Sequence, residues 1–185
     1  MTIGIKGGIK MLKEEILKSA KKIEEMLEMQ EALNDAIAKE KGLAFGDHKF
    51  NYNTLRRAII DEIGELNHEL KSDWCWWKST QKPKDKKKVL EELVDIWHFG
   101  LSRHYLVSCT DGGEKDVVLL LLKGMEMARE SEILIDDSIV EFINSYWELD
   151  DLVALTFGLG FDIDQVYDAY IEKNKENYDR LKRGY

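Results

Sequence analysis

One proline, Pro83, stands in 185 residues, so almost nothing in the chain interrupts a helix. Gly/Asn/Asp clusters at hairpin spacing are scarce, which removes the usual signature of antiparallel strands. Cysteine is nearly absent. Cys75 and Cys109 form no CxxC pair, and His48, His68, His98 and His104 supply no zinc spacing. A disulfide framework and a structural zinc site are therefore not expected, and a reducing cytoplasmic setting is. No segment reaches the roughly 18 consecutive apolar residues of a membrane span; VVLLLL, 117–122, is far too short, and MTIGIKGGIK carries no signal-peptide core. Basic charge is also in deficit, with 27 Lys and Arg against 36 Asp and Glu and a net charge of −9. A nucleic-acid or anionic-membrane surface needs a broad basic field, so neither partner is expected. The densest basic stretch, KPKDKKK at 82–88, reads as a solvated loop and a helix start.

What remains is 44% hydrophobic and 34% charged residues, ordinary for a globular chain. The reading is all-α: a multi-helix bundle of about six helices in a single domain, 1–185. A first helix covers about 10–40, with Leu12, Ile16, Ile23, Met26, Leu27, Gln30, Leu33, Asn34 and Ile37 near one face, and Gly42 and Gly46 break it. A second runs from about Asn53, as N-cap, to about Ser72, and a third from about Asp85 to Ser108. An apolar segment follows at 114–129, then a helix over about 136–157 and a last one from near Asp162 or Asp164 to about Arg183. The stretch 109–135 is a candidate mobile or interface insertion. Its VVLLLL is apolar nearly all round, which suits either a subunit interface or simple core.

AIIDEIGELNHEL, 58–70, crowds carboxylates along the edge of a buried stripe. With Glu62 as origin and ~100° per residue, the stripe Ile59, Ile63, Leu66, Leu70 centres near ~70°, Glu65 lies near ~−60° and Glu69 near ~−20°. Asp61, Gly64 and His68 point most nearly away. VLEELVDIWHF, 89–99, repeats the geometry: with Glu92 as origin its apolar stripe centres near ~70° and Asp95 lies near ~−60°. If the two helices pack by their stripes, Glu62, Glu65, Glu92 and Asp95 converge. Four such groups repel unless protonated or neutralised. A divalent cation that prefers oxygen, Mg²⁺, resolves this and shares its open positions with substrate phosphates. The plainer alternative is acids paired with lysines on a wet rim.

The last helix supplies a complement. Val166, Ala169 and Tyr170 begin an inward stripe that Lys173, Asn177 and Arg180 continue at i, i+4 and i+7, and cations and amides on an inward row suit phosphate oxygens.

Taken in order, MQEALN (29–34), DEIGELNHEL (61–70), WCWWK (74–78), LEELVDIWHF (90–99) and YIEKNKENYDRLKRGY (170–185) resemble the dimeric, all-α dUTPase family, relatives of the MazG-like nucleoside triphosphate pyrophosphatases. The motifs span 29–185. ExxE followed by ExxD belongs to the whole superfamily; the WxxWK, DxxHF and KNxxNxxR…GY elements narrow the match. The resemblance implies a homodimeric hydrolase that cleaves dUTP, and dUDP, between the α and β phosphorus, releasing dUMP and pyrophosphate or phosphate. It implies Mg²⁺ held by Glu62, Glu65, Glu92 and Asp95, with Glu62 as base and Asp61 behind it. It implies that Gln30 and Asn34 read the uracil edge, that Trp77 lies beside the base and that His98 sits at the HF motif. Lys78, Lys173, Asn174, Asn177 and Arg180 match phosphate and loop contacts, and Tyr185 closes the GY tail. The chain departs from the pattern at Cys75, where the family often has a first lysine, and at Leu181, where it commonly has Gln. Two other readings stay open: a dCTPase, as among phage relatives, or a broader house-cleaning pyrophosphatase; and a non-catalytic helical interaction protein.

Overall fold

The computed structural model describes residues 13–44, 47, 50–110, 116–130 and 135–184. Leu12, Gly46, His48 and Tyr185, and the parts of 109–135 at 111–115 and 131–134, lie outside the described residues. Among the described residues there are eight helices and no strand: α1 Lys13–Lys41, α2 Tyr52–Glu69, α3 Lys71–Trp74, α4 Lys86–Thr110, α5 Val117–Glu130, α6 Ile135–Asn144, α7 Leu149–Gly158 and α8 Ile163–Lys182.

α4 is the axis of the bundle. It packs against α2, α1, α8 and α7, while α5 lies chiefly on α7 and α1 pairs with α8. The reason is its composition: Val89, Leu93, Val94, Ile96, Trp97 and Leu101 are all buried, so α4 is apolar on several sides and needs neighbours there. A polar tie joins α4 to α7 within this core. The Trp97 indole N–H donates to Thr156 Oγ1 at 2.9 Å, and that hydroxyl donates to the Leu152 carbonyl at 2.8 Å. A buried indole without such a partner would leave an unsatisfied donor.

The count exceeds the expected six for two local reasons. α3 is a single turn after α2. The helix expected over 136–157 is broken into α6 and α7 because the corner offers the backbone better partners. Ser145 Oγ and the Trp147 indole N–H both donate to the Phe142 carbonyl, at 2.9 and 2.6 Å, and Trp147 takes a left-handed φ of 57°. α7 then starts afresh, with the Glu148 N–H donating to Asp151 Oδ2 at 2.8 Å. α2 begins earlier than expected, since Asn51 rather than Asn53 caps it, accepting from the N–H groups of Asn53 and Thr54 while Thr54 Oγ1 accepts from Asn51. Asp162 caps α8 through the Gln165 N–H at 2.8 Å, as the sequence suggests.

VVLLLL is helical and packs on the core: Val117, Leu120 and Leu121 are buried, Val118 and Leu122 are partly buried against them, and Leu119 is exposed. Gly124 lets α5 approach α7, for a Cβ there would press on the Asp150 carbonyl oxygen and lie 2.6 Å from Val153 Cβ. A backbone oxygen cannot swing aside. Gly124→Ala is expected to cost about 2 kcal/mol by overpacking, a fall of roughly 6 °C in melting temperature, measurable by thermal denaturation.

Candidate active site

α1, α2, α4 and α8 enclose a cavity of about 450 Å³. Its walls are apolar, with Leu33, Ile37, Phe50, Leu55 and Phe99. Its two ends differ. At the buried end stand Gln30, Asn34, His98 and Ser102; at the open end stand Glu62, Asp95, Lys173, Asn177 and Arg180. An apolar slot with amides at one end and charges at the other suits a ligand with a flat polar-edged ring and an ionic tail.

The buried end is one hydrogen-bonded cluster. Gln30 Nε2 donates to Asn34 Oδ1 at 3.0 Å, and Gln30 Oε1 accepts from the Tyr170 hydroxyl at 2.8 Å. His98 Nδ1 lies 2.7 Å from the same Gln30 oxygen, and the imidazole stacks on the Tyr170 ring with centroids 4.2 Å apart. Ser102 Oγ is 3.1 Å from Asn34 Oδ1 and 2.9 Å from the His98 carbonyl. Burial, with Lys173 nearby, lowers the His98 pKa to about 3, so this imidazole is neutral at pH 7.

The open end depends on how α2 meets α4. Ile59, Ile63 and Leu66 of α2 share a core with Val89, Leu93 and Ile96 of α4, and the acidic rows beside both stripes are thereby brought edge to edge. Glu62, Glu65 and Glu92 each place an oxygen within 4.8 Å of the others. Asp95, expected as the fourth member, is engaged elsewhere: Lys173 Nζ reaches its Oδ2 at 2.6 Å. Burial, then Asp95, Glu65 and Glu92, raises the Glu62 pKa from 4.5 to about 7 against the opposing pull of Lys173. Glu92 is pushed up by burial and by Glu65 and Asp95. Asp95 is also pushed up, because burial outweighs Lys173 and Arg180. Three hard-oxygen donors this close together, two of them with raised proton affinity, form a donor set that fits a divalent cation such as Mg²⁺.

Of the other residues singled out in the sequence, Lys173, Asn177 and Arg180 line the cavity, with Arg180 Nη2 2.7 Å from Glu176. Asn174 is buried beside them but does not line it, and its Oδ1 has no partner among the described residues. Asp61 is exposed and borders a shallow groove with Gly64, Glu65, His68, Glu69 and Glu92. Trp77 and Lys78 are exposed after α3 and do not line the cavity. Ser102 and Tyr170 carry no site role in the sequence reading, yet both hold the amides. The signal was spacing: Ser102 is one turn after His98, and Tyr170 is one turn before Lys173.

No curated protein matches the chain. A family model described as dUTPase matches residues 22–185, a span that takes in about two thirds of α1 and every later helix around the cavity. The chain therefore belongs to the all-α dUTPase family, and it is an enzyme of dUTP hydrolysis, a dUTP diphosphatase.

Proposed function

We propose that the protein hydrolyses dUTP, and dUDP, in a Mg²⁺-dependent reaction between the α and β phosphorus, giving dUMP and pyrophosphate or phosphate. The observation that carries this is the meeting of Glu62, Glu65 and Glu92 at the open end of a cavity whose closed end is built of amides. The base enters toward Gln30 and Asn34, between the apolar walls, and the phosphates remain at the open end. Glu62, Glu65 and Glu92 would hold Mg²⁺, with Asp95 able to join only by leaving Lys173, and the ion would supply charge neutralisation and make water easier to ionise. Glu62, whose pKa of about 7 in the metal-free site a bound cation would lower, is the carboxylate placed to take a proton from the attacking water; Asp61, its neighbour on α2, backs it. Lys173 and Arg180 offer cations, and Asn177 an amide, to phosphate oxygens. Asn174, Trp77 and Lys78 keep roles that rest on the resemblance alone.

The same reading takes the chain as one domain, 1–185, acting in the cytoplasm as a homodimer. Val140 and Ile143 on α6 and Tyr146 just after it are exposed, and they support a self-association surface.

The test is turnover of purified protein with Mg²⁺ against dUTP, dCTP, dUDP and dTTP, with pyrophosphate release followed and chelator as the control. Activity on dUTP that chelator abolishes is expected; full activity in chelator would remove Mg²⁺ from the account. Arg180→Ala is expected to raise the Kd for a non-hydrolysable dUTP analogue about tenfold, the scale of one charge-assisted hydrogen bond, and that for deoxyuridine less than twofold. Equal losses in calorimetry would take the phosphate role from Arg180.

A further inference from the structure

The amides at the closed end have a direction. Each side-chain amide carries an acceptor at one end and donors at the other, so hydrogen-bonded amides in series transmit polarity. Gln30 turns its oxygen to Tyr170 and His98, which leaves its NH₂ for Asn34. Asn34 must then meet Gln30 with its own oxygen. Its Nδ2 is left over: Asn34 is 96% buried at the cavity wall, and that nitrogen has no partner among the described residues.

The series could run the other way. Gln30 would then donate to His98 Nδ1 and to the Tyr170 oxygen, and Asn34 would give its NH₂ to Gln30 and turn its oxygen to the cavity. Ser102 fits both directions, since its hydroxyl can donate to Asn34 or to the His98 carbonyl. Tyr170 does not fit both equally. Its hydroxyl is 2.8 Å from Gln30 Oε1 but 3.3 Å from its alternative acceptor, the Met26 carbonyl. The reversed series would keep the short contact, with Gln30 donating to the Tyr170 oxygen, but would leave the tyrosine proton only the long contact to Met26.

We infer that Tyr170 is a positioning residue for base selectivity: through Gln30 it holds Asn34 with its donor facing the cavity, which favours a pyrimidine with a 4-keto oxygen over one with a 4-amino group. A donor pairs with the keto oxygen of uracil, whereas the amino group of cytosine would face another donor and leave two buried hydrogens unpaired. The inference rests on the base occupying the amide end, as proposed above.

Tyr170→Phe removes the hydroxyl and keeps the ring that stacks on His98. The ratio of kcat/KM for dUTP over dCTP is expected to fall about five- to tenfold, the net scale of one hydrogen bond. A merely structural role would lower both substrates alike, and an unchanged ratio overturns the inference, as does a wild-type preference for dCTP. Calorimetric binding of dUMP and dCMP without metal separates this inference from the proposed reaction. If no substrate turns over but the dUMP:dCMP affinity ratio narrows in Y170F, the selectivity role stands and the reaction falls. If turnover is present and the ratio is unmoved, the reverse holds. Wild-type protein that binds neither nucleotide loses both. Nitrogen-15 NMR of the wild-type imidazoles gives a check that needs no variant: His98 is expected as the Nδ1–H tautomer, and the Nε2–H tautomer overturns the inference.

Discussion

Glu62→Gln is expected to cut dUTP turnover by at least about a thousandfold, the combined scale of losing a base and a metal-facing charge, while making the metal-free protein more stable at neutral and higher pH. The two effects share one cause. Burial and three neighbouring carboxylates raise the Glu62 pKa from 4.5 to about 7. Between those values the folded protein binds a proton that the unfolded chain has released, so stability falls as pH rises through the window. Glu62 thus favours the fold most below about pH 4.5, and that contribution is lost by about pH 7. For a half-buried group, with solvent screening allowed for, the loss is on the order of 1–2 kcal/mol. Gln carries no charge and escapes it. In chelator at pH 8 the variant should melt about 3–6 °C above wild type, and the difference should shrink toward pH 5. Added Mg²⁺ should raise the melting temperature of wild type more than that of the variant. A variant that loses activity and stability together, at every pH, would mark Glu62 as a packing residue.

The edge-to-edge carboxylates were legible because helical periodicity is strict: E-x-x-E on α2 and E-x-x-D on α4 each lie on the same side of an apolar stripe, and packed stripes bring the edges together. The row Lys173, Asn177, Arg180 was legible for the same reason, and all three line the cavity. Long-range pairing is another matter. Nothing in the local pattern says that Lys173 will close on Asp95, 78 residues away, and leave three carboxylates rather than four in mutual reach. Nor does periodicity tell an inward tyrosine that only packs from one, like Tyr170, that orients an amide. The break at 145–148 had a weak signal in the acidic cluster Glu148, Asp150 and Asp151, which suits a helix start. The hydrophobic register ran across it unbroken and hid it. Trp77 marks a further limit: an aromatic in a recognisable motif can face solvent in one chain, and spacing does not show whether anything covers it.

Arg103→Ala is expected to lower stability by about 3 kcal/mol, roughly 10 °C in melting temperature, with little effect on the turnover of molecules that remain folded. Arg103 is 2% exposed, on the helix that forms the apolar centre of the bundle. Its guanidinium cannot shed its charge. It donates to the Trp147 carbonyl at 2.9 Å, to Glu148 Oε1 at 2.9 Å and to the Tyr52 hydroxyl at 3.3 Å, and it lies over the Tyr52 ring. One side chain therefore ties α2, α4 and the α6–α7 corner together, and it serves the carbonyl of the residue whose φ is left-handed. Removing it leaves that carbonyl and a side-chain cavity unfilled. Glu148 is partly open to water and can be rehydrated, so Glu148→Gln should cost well under 1 kcal/mol. The asymmetry is the informative result. Similar losses in the two variants would mean that the ion pair, and not the backbone carbonyl and packing, carries the tie. The same helix bears Asp95, His98 and Ser102 toward the cavity, whereas Arg103 does not line it and reaches to the α6–α7 corner. For that reason kcat/KM for dUTP, measured well below the melting transition and corrected for folded fraction, is expected to stay within about threefold of wild type. A larger fall would mean that the corner at Trp147 sets the register of α4 at the site.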